Sequence, residues 1–291
     1  MNEKLEQLKK QYENIAIPKE LDLVVEKAIR KNKKRRGIKR LIGAGAAAAV
    51  LFITGINTSP TFANSMSEVP LVSSIVKVLT FKEFKVNDGT IEANIKVPAI
   101  ENLENKTLES TLNKKYLDES KKLYSNFQLE MEELRQKGGG HMGLDSGYVV
   151  KTDNDQILAV GRYVVNTVGS SSTTFKYDTL DKKNELLITL PSLFKDDRYI
   201  SLISENIKKQ MKEQMKKDPN KVYWVEGAMD DVPISPFQSI DKNQTFYIND
   251  HGNLVIVFNK YDVAPGYMGV LEFTIPTAVI ANDLVSNEYI K

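Results

Sequence analysis

Apolar positions along the first forty residues recur with a helical period. Leu5, Leu8, Tyr12 and Ile15 share roughly one face. After Ile17, Pro18 suits a first helical turn, and Leu21, Val24, Val25, Ala28 and Ile29 repeat at i, i+3, i+4, i+7 and i+8. Two helices in so short a stretch bury too little of these faces against each other to be stable. The stripe therefore calls for a partner, either another protein or the inner membrane leaflet. Glu20, Asp22 and Glu26 beside it argue against the leaflet.

The pattern then changes. A basic run, Lys31, Lys33, Lys34, Arg35, Arg36, Lys39 and Arg40, leads into sixteen uncharged residues, Leu41 to Ile56. As a helix they cover roughly 24 Å at about 1.5 Å per residue, somewhat less than a hydrocarbon core of about 30 Å. Lys39 and Arg40 extend that reach by snorkelling. Cations on one flank only follow the positive-inside asymmetry, so a membrane helix is predicted over 41–57, with 1–40 cytoplasmic and the rest outside. Pro60 breaks the helix, and the small residues Ala63 and Ser65 fit the −3 and −1 pockets of signal peptidase ahead of Met66. Thr61 with Ala63 offers a competing cut two residues earlier. A cleavage site and linker are expected over 58–80, and a folded domain over 81–291.

Within that outer part, Val69 to Leu79 is apolar enough for a short helix. Phe81–Val86 and Thr90–Val97 about Asn87-Asp88-Gly89 predict a hairpin. The longest helical pattern, 102–137, carries Leu108, Leu112, Tyr116, Leu123, Phe127, Met131 and Leu134 and stops at Gly138-Gly139-Gly140. Strands are predicted at 148–151, 156–168, 173–179 and 185–190, with Gly169-Ser170-Ser171-Ser172 as a loop. A second helix follows at 197–217, with Tyr199, Leu202, Ile203, Ile207 and Met211 inward. Residues 226–243 look like an exposed connection, and a last hairpin (245–248, 254–258) precedes a strand at 270–275. The fold class is α+β: an antiparallel sheet packed with two long helices.

Charge divides the chain as the hydropathy does. Residues 1–40 hold 13 basic and 6 acidic side chains, while 66–291 hold 27 basic and 32 acidic, a net −5. The outer domain thus favours a cationic partner by steering. The absence of cysteine excludes disulfide scaffolds and thiolate chemistry. His141 and His251 stand in loops without metal-ligand spacing, and neither a nucleophile elbow nor a phosphate loop is present. Glu130, Glu132, Glu133, Asp196 and Asp197 sit where a solvated face or a helix cap is the ordinary reading. No catalytic residues, cofactor, metal or nucleic-acid partner are expected. Contact surfaces are the better candidates. Ala264-Pro265-Gly266-Tyr267-Met268-Gly269 sets a stiff, a flexible and an aromatic residue on one turn, the kind of residue set that binding hot spots use. The low bulk of Ser170, Ser171 and Ser172 suits a narrow groove.

Several stretches together resemble a known family. They are Ile17-Pro18-Lys19-Glu20-Leu21-Asp22, the single apolar segment, Ala63-Asn64-Ser65-Met66-Ser67, Ser192-Leu193-Phe194-Lys195-Asp196, Asp218-Pro219-Asn220-Lys221-Val222-Tyr223-Trp224 and Val263 to Val270. The chain is similar, end to end, to the RsiV-type anti-sigma-V factors. The resemblance implies a single-pass protein whose cytoplasmic segment holds an extracytoplasmic-function sigma factor, with Ile17, Leu21, Val24, Val25 and Ile29 as anchors. It implies that the outer domain enters the substrate cleft of C-type lysozyme through Pro265, Gly266, Tyr267 and Met268, and more loosely through Ser170, Ser171 and Ser172. Ligand binding would then admit signal peptidase at Ala63, Ser65 and Met66, followed by a site-2 intramembrane protease. One departure is Ser65, where the family often has Ala. An uncleaved membrane-anchored lysozyme inhibitor and a wall-modifying enzyme are the alternatives.

Overall fold

A computed structural model describes residues 76–227 and 234–291, all within one compact unit, Ile75–Lys291. It opens with β1 (Lys77–Asp88) and β2 (Ile91–Glu101), paired antiparallel from Lys77↔Glu101 to Asp88↔Ile91. The predicted Asp-Gly turn forms, with Gly89 at φ +63°, a conformation open to a residue without Cβ. Lys77, Val78 and Leu79 belong to this strand and not to a short helix, because Val76 and Val78 turn alternately inward against the core, a period of two. Residues 69–75 lie outside the described part. β1 also takes in the last residues expected in the linker.

Helix α1 (Lys106–Gln136) is capped by Asn105, whose Oδ1 accepts from the Leu108 N–H at 3.0 Å. It ends where Gly138 and Gly139 take φ +99° and +87° and Gly139 N–H reaches the Leu134 carbonyl at 2.9 Å. All seven apolar residues read from its pattern face the core. Its 31 residues span about 46 Å at about 1.5 Å each, enough to carry the chain back along the whole of β2. The next strand, β3 (Met142–Asp153), therefore enters parallel to β2, from Ile91↔Met142 to Ile95↔Ser146. The sheet is thus mixed, where an antiparallel one was predicted.

Past Ser146 the two strands part. Three side-chain devices handle the split. Asn113 of α1 substitutes for the missing strand, its Oδ1 accepting from Ile100 N–H and its Nδ2 donating to Ile100 O, both at 2.8 Å. Pro98 has no N–H to leave unpaired, and the Tyr148 and Thr80 hydroxyls bond at 3.0 Å. β4 (Ile157–Val168), β5 (Ser170–Asp181) and β6 (Leu186–Ile188) complete a six-stranded sheet in sequence order. Ser170, Ser171 and Ser172 are strand residues opposite Val168, Thr167 and Asn166, not a loop. Gly169 alone, at φ +71°, makes the turn, so the strands need no further slack.

Helix α2 (Arg198–Lys217) buries Tyr199, Ile203, Ile207 and Met211 as predicted, with Leu202 half-buried. It packs on a second, antiparallel sheet of β7 (Phe246–Ile248), β8 (Leu254–Phe258) and β9 (Leu271–Ile275). Every residue of β8 is buried. Leu254, Ile256 and Phe258 meet α2, while Val255 and Val257 meet Ala159 of the large sheet. The layers run α1, large sheet, small sheet, α2, which explains the unbroken apolar run of β4: Leu158 and Val160 face α1, and Ala159 faces the small sheet. A short helix α3 (Thr277–Ile280) follows. Of the connection expected at 226–243, residues 228–233 are outside the described part, yet Ile240 is buried, its N–H bonded to Ser204 Oγ at 2.9 Å. Among the described residues no helix is long and apolar enough to cross a membrane, and the predicted span 41–57 lies outside them.

Candidate partner-binding surface

β5 is paired on one side by β4 along its whole length, but β6 covers only Thr179 to Asp181 on the other. The upper edge of β5 is therefore open, and such edges are normally covered. Here the chain leaving β8 covers it. Asn259 Oδ1 accepts from Phe175 N–H at 2.7 Å, and Lys260 N–H donates to Thr173 O at 3.2 Å. The Lys260 ammonium extends along the same edge to Ser171, donating to its carbonyl at 2.6 Å and its Oγ at 2.9 Å. The segment leading into the 264–269 turn is thus tied to the serine stretch by one side chain.

The turn beyond is held from below and open above. Val263 and Ala264 are buried, and Trp224 N–H donates to Val263 O at 2.8 Å. Pro265 starts a single 3₁₀ turn, Gly266–Met268, closed by Gly269 at φ +70°. Met268 packs onto the α2 core. Tyr267 points away from it and is 67% exposed, tethered by its hydroxyl to Asn220 O at 3.0 Å. Tyr261 adopts φ +76°, rare for a residue with a side chain, and its ring lies so close over Gly266 that a Cβ there would collide with it. Lys260 Nζ sits 5.2 Å from that ring's centroid. The result is two exposed tyrosines, a cation and a serine on one rigid ledge. Burial pushes the Asp262 carboxyl up, against the hydrogen bond it accepts from Asn259 N–H at 2.7 Å.

Pro265, Gly266 and Tyr267 lie on this ledge with Ser171 tied to it through Lys260, Ser170 and Ser172 flank it in β5, and Met268 turns inward onto the core. Tyr261, Lys260 and Asn259 were not singled out from sequence. Their only signal was their place directly after a strand, since an edge-capping amide has no periodicity. Ile17, Leu21, Val24, Val25 and Ile29, and the cleavage residues Ala63, Ser65 and Met66, lie outside the described residues. His141, His251, Glu130, Glu132, Glu133, Asp196 and Asp197 are all exposed. Among the described residues no group of three or more His, Cys, Asp or Glu is placed to hold a metal ion.

Residues 191–278 match a family described as a protein of unknown function (DUF3298), and residues 33–130 match a domain of unknown function (DUF4179). A crystal structure of a DUF3298 family protein from Pseudomonas aeruginosa PAO1 has a TM-score of 0.50 at 11% identity, covering 74% of this chain and 96% of that one. This likeness concerns the fold alone. Over 292 aligned residues the chain is 47% identical to the anti-sigma-V factor RsiV of Bacillus subtilis (strain 168), with all of both chains covered. On that full-length identity, the chain belongs to the family of RsiV-type anti-sigma factors.

Proposed function

We propose that this anti-sigma factor is a membrane-anchored receptor for C-type lysozyme. Residues 1–40 hold an extracytoplasmic-function sigma factor through the stripe Ile17, Leu21, Val24, Val25 and Ile29. The outer domain engages lysozyme with the ledge of Pro265, Gly266, Tyr267 and Met268 beside Ser170, Ser171 and Ser172. Engagement exposes the Ala63-Asn64-Ser65-Met66 site to signal peptidase, and a site-2 protease then cuts the stub within the membrane and frees the sigma factor. The observation that carries the receptor reading is the Lys260–Ser171 link. Lys260 also lies against the ring of Tyr261, which covers Gly266 next to the exposed Tyr267, and this supports reading the serine edge and the turn as parts of one contact surface. The acidic excess of 66–291, 32 acidic against 27 basic residues, favours a cationic partner.

The reading is tested in cells. Replacing Ala63 and Ser65 together with bulky residues is expected to abolish lysozyme-induced loss of the outer domain on an immunoblot and to keep a sigma-dependent reporter silent. Normal processing of that variant would remove the cut from this site. A pull-down with residues 1–40 that recovers no sigma factor would favour an uncleaved lysozyme inhibitor instead.

A further inference from the structure

Where β2 and β3 part after Ile95 and Ser146, a cavity of about 410 Å³ opens between α1 and the sheet. A second, of about 350 Å³, adjoins it and shares Arg162 and Lys176. Both are of the size that small ligands or a few linked units occupy. Their walls are mixed: Ser120, Asn126 and Thr174 stand beside Leu123 and Val164 in the first, and Thr189, Asn243 and Gln244 beside Leu187 and Phe246 in the second.

Lys96, Lys122 and Lys176 are exposed at the rim, while Arg162 and Asp178 behind them are largely buried. Arg162 of β4 stands directly opposite Lys176 of β5, a like-charge pairing that destabilises a sheet. Arg162 itself is nearly buried and held by Glu119 and, at 3.0 Å, by Asp178, which also takes Lys115 at 2.8 Å. Its ring-side face lies 4.6 Å from the Tyr116 centroid, and its Nε has no hydrogen-bond partner among the described residues. Lys176 reaches Glu119 only at 4.0 Å. Among the described residues no carboxylate is within ion-pair distance of Lys96 or Lys122, which complete the rim. In the lining, two carboxylates, Glu119 and Asp178, thus face five cations, with Glu83 of β1 in register opposite Lys96, in a domain whose acidic residues otherwise outnumber its basic ones. Stability alone does not favour such a reversal of local field. An anion shared among Lys96, Lys122 and Lys176 offsets it, and the hydroxyl and amide groups beside it match a chain of hydroxyls.

We propose that the groove beneath α1 binds a hydroxyl-rich polyanion, a sugar or polyol chain bearing phosphate or carboxylate groups. This site is separate from the Tyr267 ledge and does not rest on the lysozyme reading.

The test uses the full-length chain in detergent, with lysine acetylation mapped residue by residue so that the basic cytoplasmic segment is scored apart. A glycerol phosphate oligomer, an oligogalacturonate and neutral maltohexaose are compared as protectants. At least one of the two anionic oligomers is expected to slow acetylation of Lys96, Lys122 and Lys176 fivefold or more, while maltohexaose does not. Protection by the first alone assigns phosphate as the anion, and by the second alone carboxylate. In Lys122→Glu with Lys176→Glu, protection of Lys96 should vanish at an unchanged melting temperature; if that variant melts early, Lys96→Glu and loss of Lys122 protection serve the same purpose. Tyr267→Ala should leave the footprint intact. Protection by neither anion, equal protection by maltohexaose, or an unaltered footprint in the charge-reversed chain would overturn the proposal.

Discussion

The two long helices of the domain are packed in opposite ways. α2 has 20 residues and buries Tyr199, Ile203, Ile207 and Met211 in the largest apolar cluster among the described residues, with Ser204 also buried. α1 has 31 residues and buries only Leu112, Tyr116 and Phe127. The side of the molecule under α2 is therefore a firm mount, and the ledge of Tyr267 and Tyr261 grows from it through Val263, Ala264 and Met268. The side under α1 is held in part by Asn113 and by the Arg162 ion pairs, and leaves a groove of mixed polar and apolar lining. The contrast teaches that a presenting surface and a receiving surface ask for different cores. Presentation needs a loop whose base cannot shift, while reception needs a helix that does not seal its sheet.

Substitutions that shorten the apolar contacts of the two helices should separate them most clearly. Ile207→Ala, at a fully buried position, is expected to cost about 2–5 kcal/mol, whereas Leu123→Ala, half-exposed in α1, should cost about 1 kcal/mol or less. Equal losses in chemical denaturation would erase the distinction. The seam between the two sheets comes next. Gly161 lies opposite Tyr177, whose ring stacks 5.0 Å from that of Tyr247, and a Cβ at Gly161 would drive into it. Gly161→Ala should therefore destabilise the domain by about 1–3 kcal/mol through overpacking.

The smallest expected effect concerns acid. Burial pushes the Asp181 carboxyl up, but the hydrogen bonds from Asn184, Tyr289 and Lys183 together outweigh it and hold the group below its ordinary value of 3.8. A lowered native value means that the unfolded chain takes up the proton more readily. The stabilisation is thus complete above about pH 3.8 and is lost as pH falls through the native value. The tie fixes the chain end, since Tyr289 Oη donates to Asp181 Oδ2 at 2.8 Å. Asp181→Asn should flatten this part of the acid-unfolding curve, and an unchanged curve would remove the tie from the account.

Periodicity made most of the fold legible. The inward residues of both long helices followed from i, i+3, i+4 spacing, and Asp88-Gly89 announced its hairpin. What escaped depends on contacts between distant segments. No local pattern tells that α1 returns the chain for a parallel pairing of β2 with β3, because register across a long helix is set by its length and packing. Ser170 to Ser172 read as a loop because small polar residues have weak strand preference, yet ladder pairing with β4 overrode it. The surface was half legible. Pro265 to Met268 stood out by composition, but the capping of β5 by Asn259 and Lys260, which brings Ser171 beside them, rests on individual hydrogen bonds.

The most direct test of the receptor reading is a calorimetric titration of the outer fragment 66–291 with a C-type lysozyme, comparing Tyr267→Ala with the unaltered chain. Among the described residues Tyr267 is exposed and bonded only to the Asn220 carbonyl, so the melting temperature of the variant should hardly move. Affinity should fall by about 2–4 kcal/mol, roughly 30- to 700-fold. Equal affinity of the two fragments would contradict the ledge as the lysozyme-binding surface.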